Sequence, residues 1–504
     1  ENFRKSETID VFGPVYAEGI FDDLLGQGFH PFVQTHRGCP FTCTFCHTSD
    51  QYYSSMLFLS PEIFEQDMEY LGKRFQDKPN IALHVANTNM SLFKEDFAIA
   101  EVIRRIQDKY NWPKLIKVNS GKDPDKLIKM LSMIDFEPAI ALQTLTPDVL
   151  ENIKRKNIPF DKFVDFQNKI SGKTGRLTFT ELILCLPGET KESFLETLGR
   201  VINSDIENIV IYTLMNLKGT PLCSTENAVK YNYDIRHRIV PRQFSLINGS
   251  KILDTEEVIV ATNAMSYQDY LELREISLTV AVFSSSAELA PLKRFVAEQN
   301  IDVAQWIFNI HDGIKEIPEL NEVYKEFLIE TGNELFLTKQ ALSDFFNVPE
   351  NYRDLCSGKL GDNLLRKYKY IIFTKYCQQA LKLAISKVRH LGSQSLNDML
   401  RDLGEYLFAR DIKRCLNSNS VDKTQYFNFN YDIQDWLTNN KEKLPLENFQ
   451  GSFNFQVDKS DWVKKQFANI IEINHDFEFS LQVLYRDGYT GQFWPVWSKV
   501  KGND

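Results

Sequence analysis

Cysteine is scarce in this 504-residue chain: there are eight in all, and three of them fall within eight positions. The other five (Cys185, Cys223, Cys356, Cys377 and Cys415) are scattered, which argues against a disulfide framework and for a reducing, cytoplasmic setting. No apolar run reaches the roughly 18 to 20 residues needed to cross a bilayer. The nearest, Ile276 to Ser284, has Glu275 and Glu288 around it. Positive charge is short as well, with 58 Lys and Arg against 68 Asp and Glu and a formal net charge of −10. That balance argues against a nucleic-acid backbone as the main partner, since such sites need a basic stripe. A glycine-rich phosphate loop and a Gly-x-Ser-x-Gly elbow are both missing, which sets aside kinase and hydrolase readings. Neither a repeat of fixed period nor a low-complexity segment occurs. No leader peptide is expected, and the opening Glu1, followed by polar Asn2, Arg4, Lys5 and Ser6, reads as a cut end.

What the chain does have is apolar mass. Hydrophobic residues make up 43%, with 37 Phe and 20 Tyr, enough for a large core. The length suggests two or three units. From Pro31 to about Leu217, β-rich runs alternate with amphipathic stretches. The expected strands are Pro31–Thr35, Ile81–Ala86, Leu115–Val118, Ala139–Thr144, Leu177–Leu186 and Asn208–Met215. Between them, helices are expected at Pro61–Phe75, Lys94–Tyr110, Pro124–Ile134, Phe160–Ser171 and Thr190–Asn203. Alternation of this kind means βαβ units and a parallel sheet. The fold class is therefore α/β: a partial (β/α)6, TIM-like barrel, followed by a mainly helical C-terminal domain. The domains are expected at 1–30 (a linker), 31–245 (the barrel) and 246–504 (the accessory part). In that last part helices are expected within Ser266–Gln299, Leu320–Thr331, Thr338–Phe346, Asn363–Arg389 and Leu396–Leu416, and strands at Phe453–Val457 and Phe477–Tyr485.

In parallel barrels the chemistry sits at the carboxyl ends of the strands. Directly after the first expected strand comes Arg37-Gly-Cys39-Pro-Phe-Thr-Cys43-Thr-Phe-Cys46. The C-x3-C-x2-C spacing lets one tight loop present three thiolates to one face of a [4Fe–4S] cubane and leaves the fourth iron without a protein ligand. An open iron can be chelated by the amino and carboxylate groups of S-adenosylmethionine (SAM). An electron from the cluster then cleaves the sulfonium bond and yields a 5′-deoxyadenosyl radical. Gly38 relieves crowding at the loop entry, and Phe45 offers a ring to pack beside adenine. The bland alternative is a zinc knuckle with His47 recruited as fourth ligand. Zinc more often takes separated C-x2-C pairs, and no second pair is present. The eight His, among them His30, His36 and His47, show no ligand spacing.

At this point the chain resembles the radical SAM superfamily, and most of all its cobalamin-binding-domain branch. The residues carrying the likeness are Gly28-Phe-His-Pro31 leading into the cysteine loop, then Asn119-Ser-Gly-Lys122, Leu142-Gln-Thr-Leu145 and Leu150-Glu-Asn-Ile-Lys-Arg-Lys-Asn157. Glu181-Leu-Ile-Leu-Cys-Leu-Pro-Gly-Glu-Thr190 and Gly219-Thr-Pro221 complete the set, covering about residues 10 to 245. Two departures stand out. The Asp-x-His-x-x-Gly signature of a cobalamin domain is not in this chain, whose first 30 residues resemble the linker that follows such a domain. Where the family commonly has Asp-x-Asn, this chain has Asn87-Thr88-Asn89, which can hydrogen-bond the SAM amino group but brings no charge.

The resemblance implies an enzyme using a [4Fe–4S] cluster, SAM and, in this branch, cobalamin. It would abstract hydrogen from a small-molecule substrate, with C-methylation or related tailoring of a sugar or secondary metabolite as the outcome. A reductant such as flavodoxin or ferredoxin would feed it, with neither membrane nor nucleic acid as partner. Cys39, Cys43 and Cys46 are the expected ligands. Expected SAM or substrate contacts are Phe45, Asn87, Asn89, Asn119, Gln143, Glu181 and Gly188, set against turn chemistry for the Asn residues and plain helix-start chemistry for Pro187-Gly-Glu-Thr190. Glu181 shares an apolar strand with Phe179 and Ile183 and needs a cationic or hydroxyl partner. Tyr52 and Tyr53 line either the cavity or the surface. The competing functions are a non-catalytic Fe–S carrier or scaffold and a tRNA methylthiotransferase-like enzyme.

Overall fold

The computed structural model describes residues 9–76, 78, 80–138, 140–174, 179–204, 206, 208–391, 396–410, 425–440, 444–458, 472, 480–481 and 496–500. Two compact units emerge: residues 1–197, 204–234 and 259–265 in the first, and 198–203, 235–258 and 266–504 in the second. The division thus falls at 234/235 and again at 258/259, which returns residues 259–265 to the first unit.

The first unit is mixed α/β. Its strands are β1 (Phe32–Val33), β2 (His36–Arg37), β3 (Leu57–Phe58), β4 (Leu83–Met90), β5 (Ile116–Ser120), β6 (Phe179–Leu184) and β7 (Asn208–Thr213). The pairs β1–β4, β4–β5 and β6–β7 are all parallel. β2 and β3 form a two-residue antiparallel clip that the sequence did not announce. Of the expected fourth strand, Ala139 lies outside the described residues, and the rest is reduced to one parallel bridge between Gln143 and Leu182. Gln143 has φ +66°, a left-handed backbone that stops a strand from propagating. The described strands do not close into a ring.

Helices at Pro61–Phe75 and Lys94–Tyr110 run as expected, while the one after β5 ends early, at Leu131. Pro61 and Pro124 sit in the first turns of their helices, where the missing N–H costs nothing. Asp123 accepts from Lys126 N, and Asn111, at φ 55°, ends the second helix with its N–H on Gln107 O. Along β4, Leu83, Val85 and Asn87 are buried while His84, Ala86 and Thr88 are half-exposed. On the helices Pro61–Phe75 and Lys94–Tyr110, Phe64, Met68, Ile99 and Ile103 are likewise buried, all at 2% exposure or less. Each such side chain contributes about 1.5–3 kcal/mol by leaving water. The alternate set is left to line the inside of the sheet.

The second unit is built mostly of helices, among them Tyr267–Thr279, Val303–Gly313, Pro318–Asn333, Leu364–Lys375, Cys377–Leu391 and Asn397–Ala409. It also holds most of an unexpected hairpin, β8 (Asp234–Ile247) with β9 (Ser250–Ala261), whose Ile239 packs with Leu342, Phe346 and Leu355. Arg238 of β8 is clamped by Glu256 at 2.6 Å and Glu334 at 3.2 Å. An antiparallel sheet of β10 (Gln425–Tyr431), β11 (Gln450–Asp458) and β12 (Val496–Lys499) includes the expected strand at Phe453–Val457. Of Phe477–Tyr485, only Ser480 and Leu481 are described, and both are helical rather than extended. Cys415 lies outside the described residues. Among the described residues no helix is long and apolar enough to cross a membrane.

Candidate functional site

The cysteine loop is held in place by backbone bonds to several separate segments. Cys39 N donates to Tyr53 O at 3.0 Å, Thr44 N to Ile153 O at 3.0 Å, and Leu222 N to Thr44 O at 3.0 Å. Thr88 Oγ1, near the end of β4, donates to Gly38 O at 2.8 Å. Gly38 has φ +113°, and a Cβ there would stand 2.7 Å from Tyr53 O and 2.8 Å from Ser55 O. Only glycine fits that entry without moving backbone. Behind the loop, fully buried His36 pairs through Nδ1 with Asp96 Oδ1 at 2.9 Å, and Asp96 Oδ2 accepts Phe93 N at 3.1 Å at the start of helix Lys94–Tyr110. His36 is thus a core histidine.

Cys39 and Cys43 are buried and Cys46 is half-buried. Each sulfur has a polar neighbour. Asn89 Nδ2 donates to Cys39 Sγ at 3.3 Å, Arg155 Nη1 to Cys43 Sγ at 3.7 Å, and Thr48 Oγ1 lies 3.1 Å from Cys46 Sγ. Lys122 Nζ sits 4.3 Å from the centre of the Phe41 ring, inside the same loop. Burial, together with repulsion from Arg155, pushes the Lys122 ammonium down to about 8, against the opposing pull of the three cysteines. Burial also lowers the Arg155 value, with Cys43 and Glu181 working the other way.

The remaining expected residues divide. Asn87 is fully buried and its amide is used up within the protein: Oδ1 accepts Thr35 N and His36 N at 2.9 and 3.1 Å, and Nδ2 donates to Thr35 Oγ1 and Met90 Sδ. Gln143 is 6% exposed and donates through Nε2 to Glu181 Oε2 at 3.4 Å. The Glu181 carboxyl is raised by burial, with Gln143 and then the Arg155 charge opposing, so the anticipated cationic neighbour exists. Asn119 is exposed on β5, and Phe45 is half-buried. At Gly188, φ is +86° and a Cβ would meet Asn152 Nδ2 at 2.8 Å, so the turn is fitted to the Asn152 amide that donates to Pro187 O. Thr190 Oγ1 accepts Ser193 N at 3.1 Å, a helix-start bond.

A cavity of about 580 Å³ runs along the inner face of the parallel strands, lined by His84, Thr88, Lys117, Asn119 and Glu181 among others. Tyr52, at 58% exposure, faces solvent. Arg155, Lys122 and Thr48 were not singled out from sequence. Arg155 stands in the run Lys154-Arg155-Lys156, inside a stretch that carries the family likeness, and it is buried at 7% exposure. Lys122 follows β5 by two residues, a position that itself marks a strand's carboxyl end.

Whether these residues suit a cluster and SAM can be judged from the donor set. Three thiols from one short loop, each beside a polar group, are what a cubane ligated at three corners requires. Among the described residues no three His, Cys, Asp or Glu are gathered as they would be around a single ion, and a cubane takes its thiolates at separate irons. Thr44 Oγ1, Ser91 Oγ and Gln143 Oε1 are buried with no hydrogen-bond partner, and a polar ligand would relieve such groups. The site fits.

Residues 33–201 match the profile of the radical SAM superfamily. Over 285 residues the chain is 26% identical to the cobalamin-dependent radical SAM methyltransferase TokK of Streptomyces tokunonensis, covering 53% of this chain and 40% of that protein. It is 26% identical over 273 residues to the 2-(S-pantetheinyl)-carbapenam-3-carboxylate methyltransferase of Streptantibioticus cattleyicolor, covering 51% and 39%. It is 22% identical over 210 residues to the threonylcarbamoyladenosine tRNA methylthiotransferase MtaB of Bacillus subtilis, covering 40% and 45%. The chain therefore spans about two fifths of the length of the first two relatives. Among solved structures, the cobalamin-dependent SAM radical enzyme OxsB overlaps 77% of this chain and 59% of its own at 12% identity and a TM-score of 0.38.

Proposed function

We propose that this chain, which carries a radical SAM domain over residues 33–201, is an enzyme that cleaves SAM reductively and takes a hydrogen atom from a small organic substrate. The observation that carries this reading is the loop of three thiols, each beside a polar side chain, joined through Thr88 to a cavity of mixed polar and apolar lining along the parallel strands. Cys39, Cys43 and Cys46 would hold the cluster. When bound, cluster and SAM together supply one-electron cleavage of a sulfonium carbon–sulfur bond.

The protein's own part is positional and electrostatic. Asn89, Arg155 and Thr48 fix the directions of the sulfur lone pairs. Gln143 ties Glu181 to the bridge beside β6 and leaves its Oε1 free to accept from a ligand. Asn119 and Glu181 line the cavity that would take SAM and substrate, and Phe45 would pack beside the adenine. Asn87, whose amide is committed to Thr35 and His36, supports the loop from behind instead. The parallel pairing of the strands supports an incomplete (β/α)6 barrel; we read it as spanning residues 31–245, with 246–504 as an accessory part, in a cytoplasmic protein reduced by a flavodoxin- or ferredoxin-type donor. Methyl transfer with cobalamin is proposed on the likeness to the relatives alone. No described residue points to a corrin, and no step of this chemistry runs through one.

Anaerobic reconstitution with iron and sulfide should give a brown protein with about four irons per chain, and dithionite plus SAM should release 5′-deoxyadenosine. Cys39→Ala, Cys43→Ala and Cys46→Ala should each abolish release and deplete iron. Full cleavage by Cys39→Ala would sink the assignment. A non-catalytic carrier would bind iron yet show no spectroscopic change when SAM is titrated onto the reduced protein. The unpartnered oxygens of Thr44, Ser91 and Gln143 favour the enzyme.

A further inference from the structure

Two cations, Arg155 buried and Lys122 half-buried, stand beside the loop of three thiols. Arg155 Nε donates to Asn157 Oδ1 at 2.9 Å, and Nη2 donates to Ala141 O. Those two acceptors fix the plane of the guanidinium, so that Nη1 faces Cys43 Sγ at 3.7 Å. Lys122 lies on the Phe41 ring, near enough for the two cations to repel one another. Glu181 is the carboxylate that acts on Arg155, and burial disfavours its charged form. Like charges held out of water are costly unless negative charge is brought to them. Three thiolates on an iron–sulfur cluster bring it.

We propose that Arg155, backed by Lys122, sets the reduction potential of the cluster held by Cys39, Cys43 and Cys46, a role that rests on the functional reading above. Reduction adds one electron, and so one unit of negative charge, with no proton taken up; the electron comes from a low-potential donor. A fixed cation against a ligand sulfur stabilises the reduced state more than the oxidised one and raises the potential. The guanidinium stays charged at any working pH, so the effect does not depend on a titration. Thr48 and Asn89 act in the same direction through neutral dipoles and to a smaller extent. The consequence is a division of labour: the cations ease entry of the electron at some cost in reducing power. Arg155 is therefore a positioning residue for charge and need not touch the substrate.

The experiment is an electron paramagnetic resonance titration of the full, anaerobically reconstituted chain with dithionite and mediators. It compares wild type with Arg155→Met, Arg155→Lys, Lys122→Met and Thr48→Val. In Arg155→Met the reduced-to-oxidised ratio at a fixed potential should fall about tenfold, a shift of about 59 mV for one electron. Arg155→Lys should fall less, because the charge survives and only the fork is lost. Lys122→Met should move the same way, and Thr48→Val least. An Arg155→Met protein with full iron content that titrates with wild type overturns the proposal. If Arg155→Met cannot hold iron, Lys122→Met decides: an unchanged potential there overturns it and a lowered one supports it. A wild-type chain that takes up no cluster overturns the functional reading itself, and this inference with it.

Discussion

At the scale of single residues, Gly38 shows how closely the loop is fitted to its surroundings. Its φ of +113° and the 2.7 Å that a Cβ would leave to Tyr53 O are two independent objections to any side chain. Gly38→Ala should cost about 1–3 kcal/mol of local strain, taken up by a shift of the Cys39 backbone and its bond to Tyr53. The expected outcome is a folded protein with a slightly lowered melting temperature and a marked loss of bound iron after reconstitution. Iron content measured beside the thermal melt checks it, and unchanged iron would mean the loop tolerates the move. The cysteine spacing was legible in sequence because it is a local property of eight residues. The partners of the sulfurs were not. Asn89 reaches Cys39 across 50 positions, and Arg155 reaches Cys43 across 112. Nothing in Lys154-Arg155-Lys156 distinguishes the buried cation from its two neighbours.

At the scale of elements, the well-read helices carry their own stop and start chemistry. Pro61 opens one and Asn111 closes another, so their limits are fixed within a few residues of sequence. The β8–β9 hairpin went unread because most of its residues are neither buried nor exposed, so no clean alternation of apolar and polar residues marks it. The fourth expected strand failed for a different reason, the left-handed backbone at Gln143. Asp67 ties the segment before β1 to helix Pro61–Phe75, with Oδ1 accepting both Tyr16 N at 2.8 Å and Ala17 N at 2.9 Å. Burial raises its carboxyl above the ordinary value, while the two N–H groups oppose. A raised folded-state value means that this group's stabilising contribution is present at acid pH and is lost as pH rises through it. Asp67→Asn keeps one accepting oxygen and carries no charge. Its stability relative to wild type should therefore improve as pH climbs from about 4 to 7, whereas Asp67→Ala should lose about 1–3 kcal/mol throughout. Urea unfolding at several pH values tests both. A flat difference between Asn and wild type would show that the charge is not penalised.

At the scale of the whole molecule, the comparisons leave two kinds of substrate to weigh. A methyltransferase named for a carbapenam carboxylate matches at 26% identity, and a tRNA methylthiotransferase at 22%. Gripping tRNA means neutralising phosphates with Lys and Arg and releasing the counterions they held. This chain carries ten more acidic than basic side chains, and Lys117 is the one Lys or Arg among the described residues lining the cavity, beside Glu137 and Glu181. A small substrate that enters a cavity of about 580 Å³ asks for no such stripe. Fluorescence anisotropy with bulk tRNA in about 0.15 M salt should therefore show no binding tighter than the nonspecific range of about 10⁻⁴ to 10⁻⁶ M. Saturable, tighter binding that weakens steeply as salt is raised would move the substrate from the small molecules to the nucleic acids while leaving the cluster site as it stands.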